Sequence, residues 1–375
     1  MNITFAHKNN DYQITRYPPT NNRSLRAWNA ADEHLLQYLD DSLTTNSELA
    51  IYNDRFGFLT CTLHPFHPKV IVNYASQRKS ILQNLKNNTL EKSKVEFCHP
   101  LVDLPKNVTL GLLKIPKSID LFRLQLIQLT KALDANGVVL GGFMTKYFTP
   151  QILRVACEFF ENVEQSRAWK KSRVITLKNP KPFLKKSIIH SITFRDQIFQ
   201  QYFSVFSANN IDYASQFFIT HLKVSETVSC VLDLASGNGV LAKMVRLKNT
   251  TCEIHLMDDS FLAIASSKLN LREPNTFFHL KDTLEDFEDN FFDLVISNPP
   301  FHFEHENNID ISIRLFGEVK RCLKPQGSFQ LVANRHLNYK THLTKIFSAV
   351  EIIAENKKFV IYECFVERRQ LKNLF

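Results

Sequence analysis

Asp293–Phe303 reads DLVISNPPFHF. Leu294, Val295 and Ile296 form a short apolar, β-branched-rich run that suits a buried strand. The run stops at Asn298-Pro299-Pro300, whose prolines lack N–H donors and fix φ, so the chain leaves the sheet in a rigid, extended form. Phe301 follows at once. An asparagine held between a strand end and two prolines offers oxygens in fixed positions beside a flat apolar ring. That arrangement suits an aromatic base carrying an exocyclic amino group.

Working outward, the second half alternates strands and helices. Ser229–Leu234 predicts a strand, Ala235–Gly239 a loop, and the following residues a helix to about Lys248. Cys252–Met257 predicts a strand ending at Asp258-Asp259, followed by a helix over Phe261–Leu271. Phe277–Leu280 predicts a short strand before Lys281-Asp282. After the Asn-Pro-Pro turn come a helix over Ile311–Leu323, a strand over Ser328–Ala333 and a helix over Tyr339–Phe347. Two closing strands, around Ala349–Glu355 and Phe359–Val366, form an antiparallel hairpin at the edge. Residues 191–222 read as mainly helical. This alternation implies an α/β fold, a parallel sheet with helices on both faces.

The same half carries a candidate ligand site. Asp233, Ala235, Gly237, Asn238 and Gly239 lie in a glycine loop between a strand and a helix, where a cofactor approaches the backbone at the helix N-terminus. Asp258 ends the next strand, 19 positions after Gly239, where an acid binds ribose hydroxyls. Asp282 ends the strand after that. Alone, each acid reads as a helix cap or a turn residue, and a lone G-x-G as a tight turn. Together with Asn298 they line the C-terminal edge of one sheet, where such folds bind ligands.

The first half repeats the pattern without the chemistry. Lys69–Tyr74 and Val108–Ile115 read as strands, and Ala75–Asn87 and Ser118–Leu133 as helices. Val138–Gly142 reads as a strand and Pro150–Glu161 as a helix. ALDANGVVLGGFMTKY resembles CLKPQGSFQLVANRHLNY, and Gly57 to Pro116 is 59 positions against 60 from Gly239 to Pro299. We read a duplicated α/β unit. IYNDRFG stands where the second copy has DLASGNG, and Ile115-Pro116-Lys117 replaces Asn-Pro-Pro. The domains expected are 1–188, a degenerate RNA-binding copy, and 189–375, the catalytic copy.

Charge separates the halves. Residues 1–190 carry 26 Lys and Arg against 15 Asp and Glu, a net of +11, whereas residues 191–375 carry 20 against 22, a net of −2. A basic half beside a near-neutral half suggests that one binds a polyanion and the other does chemistry. Lys170, Lys171, Arg173, Lys178, Lys181, Lys185 and Lys186 are the candidate phosphate contacts. The bland alternative is a solvated basic face.

Length favours two domains. The seven cysteines contain no CxxC pair, which argues for reduced, buried thiols in the cytoplasm rather than disulfides or zinc. His302 and His305 lack further ligands at metal spacing, so no metal is expected. No run of about 18 apolar residues occurs, and the first residues lack an apolar signal core. We expect no membrane association.

These motifs resemble class I S-adenosylmethionine-dependent methyltransferases, and more narrowly the bacterial ribosomal RNA guanine-N2 methyltransferases, over nearly the whole chain. Arg23–Leu36 (RSLRAWNAADEHLL), Lys114–Ser118 (KIPKS), Ala168–Arg173 (AWKKSR), Ser297–His302 (SNPPFH) and Ala333–Tyr339 (ANRHLNY) are most similar to the large-subunit (23S) members. SNPPFH is shared with the small-subunit (16S) members. The resemblance implies two tandem class I (Rossmann-like) domains, the first degenerate, and a monomer acting on rRNA, 23S favoured. It implies S-adenosyl-L-methionine as cofactor. Asp233, Gly237 and Gly239 would shape its methionine side, Asp258 would take its ribose and Asp282 its adenine. Asn298 and the Pro299 carbonyl would accept from the guanine amino group, with Pro300 fixing the turn and Phe301 stacking on the base. Ala235 departs from the glycine usual there, which predicts weakened cofactor binding. The alternatives are 16S guanine, adenine or glutamine amino methylation, or an RNA-binding assembly protein that has lost the cofactor.

Overall fold

The computed structural model describes residues 3–20, 22, 24–39, 43, 46–182, 187–207, 210–299 and 309–367. The chain folds as two compact units, Met1–Ile188 and Ile189–Phe375.

The first unit opens with a hairpin of β1 (Thr4–His7) and β2 (Asn10–Gln13). There follow α1 (Ala30–Leu39), β3 (Leu49–Tyr52), α2 (Phe58–Thr62), β4 (Lys69–Ile71), α3 (Ala75–Asn87) and β5 (Glu96–Cys98). Next come β6 (Val108–Lys114), α4 (Ile119–Ala132), β7 (Leu133–Met144), α5 (Pro150–Phe159), β8 (Phe160–Gln165) and β9 (Ser172–Pro180). The sheet order is β5-β4-β3-β6-β7-β9-β8, with β9 antiparallel to both neighbours. Neighbouring residues of each central strand enter opposite cores. Ile51, Val70 and Leu112 pack on one face, while Tyr52, Ile71 and Leu113 pack on the other. Two-sided burial explains why these strands read as continuous apolar runs.

The second unit begins with a hairpin of β10 (Ile189–Phe194) and β11 (Gln197–Tyr202). It continues with α6 (Tyr213–His221), β12 (Cys230–Leu234), α7 (Val240–Lys248), β13 (Glu253–Asp258), α8 (Phe261–Asn270), β14 (Thr276–Leu280) and β15 (Phe292–Ser297). The last elements are α9 (Ile309–Cys322), β16 (Leu323–Asn334), α10 (Tyr339–Ile346), β17 (Ala349–Glu355) and β18 (Phe359–Phe365). Its order, β14-β13-β12-β15-β16-β18-β17, matches that of the first sheet strand for strand. Val231, Ile254 and Leu294 pack on one face, and Leu232, Val295 and Phe329 on the other. Each such buried side chain contributes roughly 1.5–3 kcal/mol.

Three readings change. Residues 191–222 are not mainly helical, because their first part is the β10–β11 hairpin. Its buried positions, Ile192, Phe199 and Gln201, follow a strand's period of two, with Arg195 in left-handed backbone at φ 52 in the turn. The basic stretch after residue 166, read from the sequence for its charge alone, contains β9. The Asn-Pro-Pro equivalence also shifts by one. Tyr52 pairs Leu113 as Leu234 pairs Ser297. Lys114 therefore stands for Asn298, and Pro116 for Pro300.

Candidate active site

The second unit's site sits at the C-terminal ends of β12, β13, β14 and β15. Asp233, next to last in β12, is fully buried. Its Oδ2 accepts from the Ala242 N–H at 3.0 Å, and its Oδ1 has no partner among the described residues. Burial pushes its carboxyl up to about 7, opposed by the Ala242 N–H and reinforced by Asp258. The chain then turns through Ala235 at φ 60, Gly237 at φ 56 and Gly239 at φ 79. A Cβ on Gly239 would stand 2.8 Å from Leu271 Cδ1, so glycine there serves packing. At Gly237 a Cβ would meet nothing within 4 Å among the described residues. The backbone there faces open space, as a loop that cradles a ligand must.

Asp258 ties this loop to the next strand. Its Oδ2 accepts from the Gly237 N–H at 3.0 Å and its Oδ1 from the Ser260 N–H at 2.8 Å. Burial raises its carboxyl to about 6 despite those two bonds. The Asp258 carbonyl accepts from the Lys281 N–H at 3.1 Å, which sets Asp282 on the adjoining loop. Asn238 has an inward role. Its Nδ2 donates to Gln201 Oε1 at 2.8 Å, and its Oδ1 accepts from the Val240 N–H.

Asn298 follows β15 directly. Its Nδ2 donates to Asp212 Oδ2 at 3.0 Å and to Ser215 Oγ at 2.9 Å. Its Oδ1 is buried without a partner among the described residues. A carboxylate only accepts, so Asp212 fixes which end of the amide faces it. Asp212 is itself held as the N-cap of α6, accepting from the Ala214 and Ser215 N–H groups at 3.0 and 3.1 Å. Ser297 Oγ donates to the Leu234 carbonyl at 2.7 Å and locks β15 to β12 beneath the site. Sequence reading missed Asp212 and Ser215. Their one signal, an aspartate before the helix from Tyr213, was lost in a stretch read as mainly helical throughout. Pro300, Phe301, His302 and His305 lie outside the described residues.

The basic run does not converge. Lys170 and Lys171 sit in the turn before β9, and Lys178 and Lys181 at or just past its far end. Arg173 donates to Gln165 Oε1 at 2.7 Å, and Lys181 Nζ to the Cys157 carbonyl at 2.7 Å. Lys185 and Lys186 lie outside the described residues.

Among the described residues one group has metal-ligand geometry. Donor atoms of Cys230, Glu253 and His255 lie within 4.8 Å of one another, a cluster the sequence spacing does not reveal. Burial, with Glu253 and Asp293 nearby, pushes the Cys230 thiol up to about 12, so it is protonated at neutral pH. His255 Nδ1 lies 3.0 Å from His279 Nε2, and burial lowers both imidazoles to about 4.

The architecture has known counterparts. Residues 196–363 match the methyltransferase small domain, and residues 2–181 match the RLMG N-terminal domain. The 16S rRNA N2-guanine methyltransferase of T. thermophilus, solved with AdoMet and guanosine, superposes with a TM-score of 0.77 at 19% identity, covering 97% of each chain. That likeness is one of fold. The fold is that of the S-adenosylmethionine-dependent methyltransferases, and the second unit carries the methyltransferase small domain. The ribosomal RNA large subunit methyltransferase G of Yersinia pestis (strain Pestoides F) is 32% identical over 93% of this chain and 91% of its own length. That of Shewanella frigidimarina is 32% identical over 97% and 99%. The chain belongs to the ribosomal RNA large subunit methyltransferase G family. No helix among the described residues is long and apolar enough to cross a membrane.

Proposed function

We propose that this protein transfers the methyl group of S-adenosylmethionine to the N2 amino group of a guanine in 23S rRNA. The observation that carries the reading is Asn298, whose buried Oδ1 has no partner among the described residues while its Nδ2 is tied to Asp212 and Ser215. A buried, unpaired acceptor costs free energy unless a donor arrives. An amino group is such a donor. The names of the family's relatives support large-subunit rRNA as its source.

The guanine N2 lone pair is delocalised into the ring and is a poor nucleophile. Asn298 Oδ1 and the Pro299 carbonyl accept from its two N–H bonds and localise that pair toward the sulfonium methyl. Bound S-adenosylmethionine would supply the electrophilic methyl and leave as S-adenosylhomocysteine, and the amino group would give up one proton to water. This chain's residues act by orientation and electrostatics. Asp212 and Ser215 are positioning residues that keep Oδ1 forward. The open backbone at Gly237 and the carboxylate of Asp258 fit the cofactor's methionine and ribose. Asp233 stands beneath the loop, and Asp282 is assigned the adenine. Phe301 is assigned stacking on a base splayed from folded RNA, with Pro300 fixing the turn. The basic first unit holds the RNA backbone. No metal and no second subunit are required.

The test offers the purified protein labelled S-adenosylmethionine with 23S rRNA, 16S rRNA or a glutamine-containing peptide. Label should enter 23S guanine alone and vanish with Asn298→Ala. Preferred labelling of either other substrate, or normal turnover by the variant, rejects the reading.

A further inference from the structure

The C-terminal edge of the first sheet, where the second sheet carries its reaction site, is built for another purpose. Trp169 and Ser172 exchange backbone hydrogen bonds of 2.9 and 2.8 Å around Lys170 and Lys171. Both lysines are in left-handed backbone, at φ 45 and 61. Two successive positive φ values make a type I′ turn, which favours Asn-Gly. A Lys-Lys pair there is disfavoured locally and holds two ammonium groups at the tip.

The neighbouring loop joins it. Thr145 donates from N and Oγ1 to the Lys171 carbonyl at 2.9 and 3.1 Å. That contact brings in Tyr147, whose ring centroid lies 4.6 Å from Lys146 Nζ and 5.1 Å from Lys117 Nζ. Lys117 comes from the turn after β6, which replaces Asn-Pro-Pro. Lys117, Lys146, Lys170 and Lys171 are all exposed, and Tyr147 is half-buried. Two acids of α1 lie nearby, and each is ion-paired. Glu33 pairs with Lys170 at 3.2 Å, and Asp32 with Lys114 at 2.9 Å.

We propose that this edge is a single-stranded RNA site, with Lys117, Lys146, Lys170 and Lys171 on successive phosphates and the Tyr147 ring under one base. The inference rests on the rRNA reading above and adds where the RNA is held. Ammonium groups against an aromatic face are a cation–π arrangement. Phosphates draw the ammonium groups off the ring and free it for stacking, so the two contributions add. A solvated basic face has no need of a strained Lys-Lys turn beside an aromatic ring.

The test uses the full chain and a 23S rRNA transcript, with binding titrated across salt concentrations. Lys117→Glu/Lys146→Glu and Lys170→Glu/Lys171→Glu should each weaken binding by at least about tenfold. Each should flatten the slope of log affinity against log salt by about 0.7 for every phosphate no longer neutralised. Tyr147→Ala should weaken it about tenfold with the slope unchanged, and Tyr147→Phe should restore it. The Lys92→Glu/Lys106→Glu variant carries the same charge change at the opposite, N-terminal end of the sheet and should keep the wild-type slope. Where charge reversal unfolds the chain, Lys170→Gln/Lys171→Gln reads the same slope. Wild-type binding and slope in the edge variants, or equal losses in the control, would overturn this site alone. Failure of the wild-type protein to bind the transcript would overturn the rRNA reading with it.

Discussion

The two units share a strand order and a turn, and differ in what fills the turn. After β3 the chain bends through Asn53 at φ 61 and Gly57 at φ 81. After β12 it bends through Ala235 at φ 60 and Gly239 at φ 79. Between those points Gly237 opens onto empty space. Its counterpart, Arg55, is 8% exposed, lies 5.2 Å from the Tyr74 ring and donates to Ser76 Oγ at 2.8 Å. Val72 stands where Asp258 does, since Ile71 pairs Tyr52 as Met257 pairs Leu234. Lys114 stands for Asn298, and its ammonium meets Asp32 on α1 at 2.9 Å where Asn298 meets α6. The strand-to-helix tie survives in both copies. In the first it is an ion pair that satisfies both partners, and in the second it leaves an acceptor over. The scaffold is therefore separable from the proposed chemistry, which we assign in the second copy to a few side chains and the space beside Gly237.

The sharpest way to break this comparison is to exchange losses between the copies. Asn298→Ala should cut turnover by at least about 10³-fold while melting temperature and cofactor affinity stay unchanged. Lys114→Asn should do the reverse. It removes the ion-pair partner of Asp32, 3% exposed on its side chain, and leaves only the Asn29 N–H on that oxygen, which should cost about 2 kcal/mol of stability with turnover kept. A stability loss in the first variant and an activity loss in the second would reverse the assignment.

Next in size is the positioning pair. Asp212→Asn lets the Asn298 amide turn its Nδ2 forward and should lower kcat about 10²-fold, with KM and melting temperature nearly kept. A rise in KM alone would place Asp212 in substrate binding instead. Cofactor binding discriminates the units directly. Calorimetry should find one S-adenosylmethionine per chain, and Asp258→Ala should weaken it about 30-fold by removing charge-assisted hydrogen bonds. A second equivalent would mean that Arg55 does not close the first turn.

Acidification gives a smaller signal with a defined sign. Asp258 is raised to about 6 by burial, so its anion is complete only above that value. Cofactor affinity should be level above about pH 6.5 and fall as pH drops through 6, by up to tenfold per unit. Asp258→Asn should flatten the profile, and an unchanged profile would assign the dependence elsewhere. Smallest is Ala235→Gly. Left-handed backbone strains alanine by about 1–2 kcal/mol, and glycine's unfolded entropy returns part of that. A net gain of about 0.5 kcal/mol by denaturant titration is expected, and a loss would show that the Ala235 methyl packs usefully.

The second sheet was legible because each strand is a two-sided apolar run closed by a polar punctuation mark. SCVLDL, CEIHLM and DLVIS end at a glycine loop, an acid pair and Asn-Pro-Pro, and the observed strands fall close to them. The closing hairpin, with β17 at the edge, was equally clear. Its counterpart in the first sheet was not, because β8 exposes Glu161, Asn162, Glu164 and Gln165 and reads as polar chain. The β10–β11 hairpin was missed because phenylalanine-rich, glutamine-rich segments satisfy a helical spacing as readily as a strand's. At the candidate site, Asp233, Gly237, Asp258 and Asn298 were singled out from position at strand ends. Asp212 and Ser215 were not, because what makes them matter is proximity to a residue 83 or 86 positions away. Lys170 was flagged for charge alone, whereas Lys117, Lys146 and Tyr147 join it only through the folded edge.

The most direct measurement of the central claim is the pattern of N2-methylguanine in 23S rRNA from cells lacking this gene. The account predicts that one methylated guanine disappears, returns when the wild-type chain is supplied and stays absent when Asn298→Ala is supplied at equal abundance. An unchanged 23S pattern, or restoration by the Asn298→Ala chain, would contradict it.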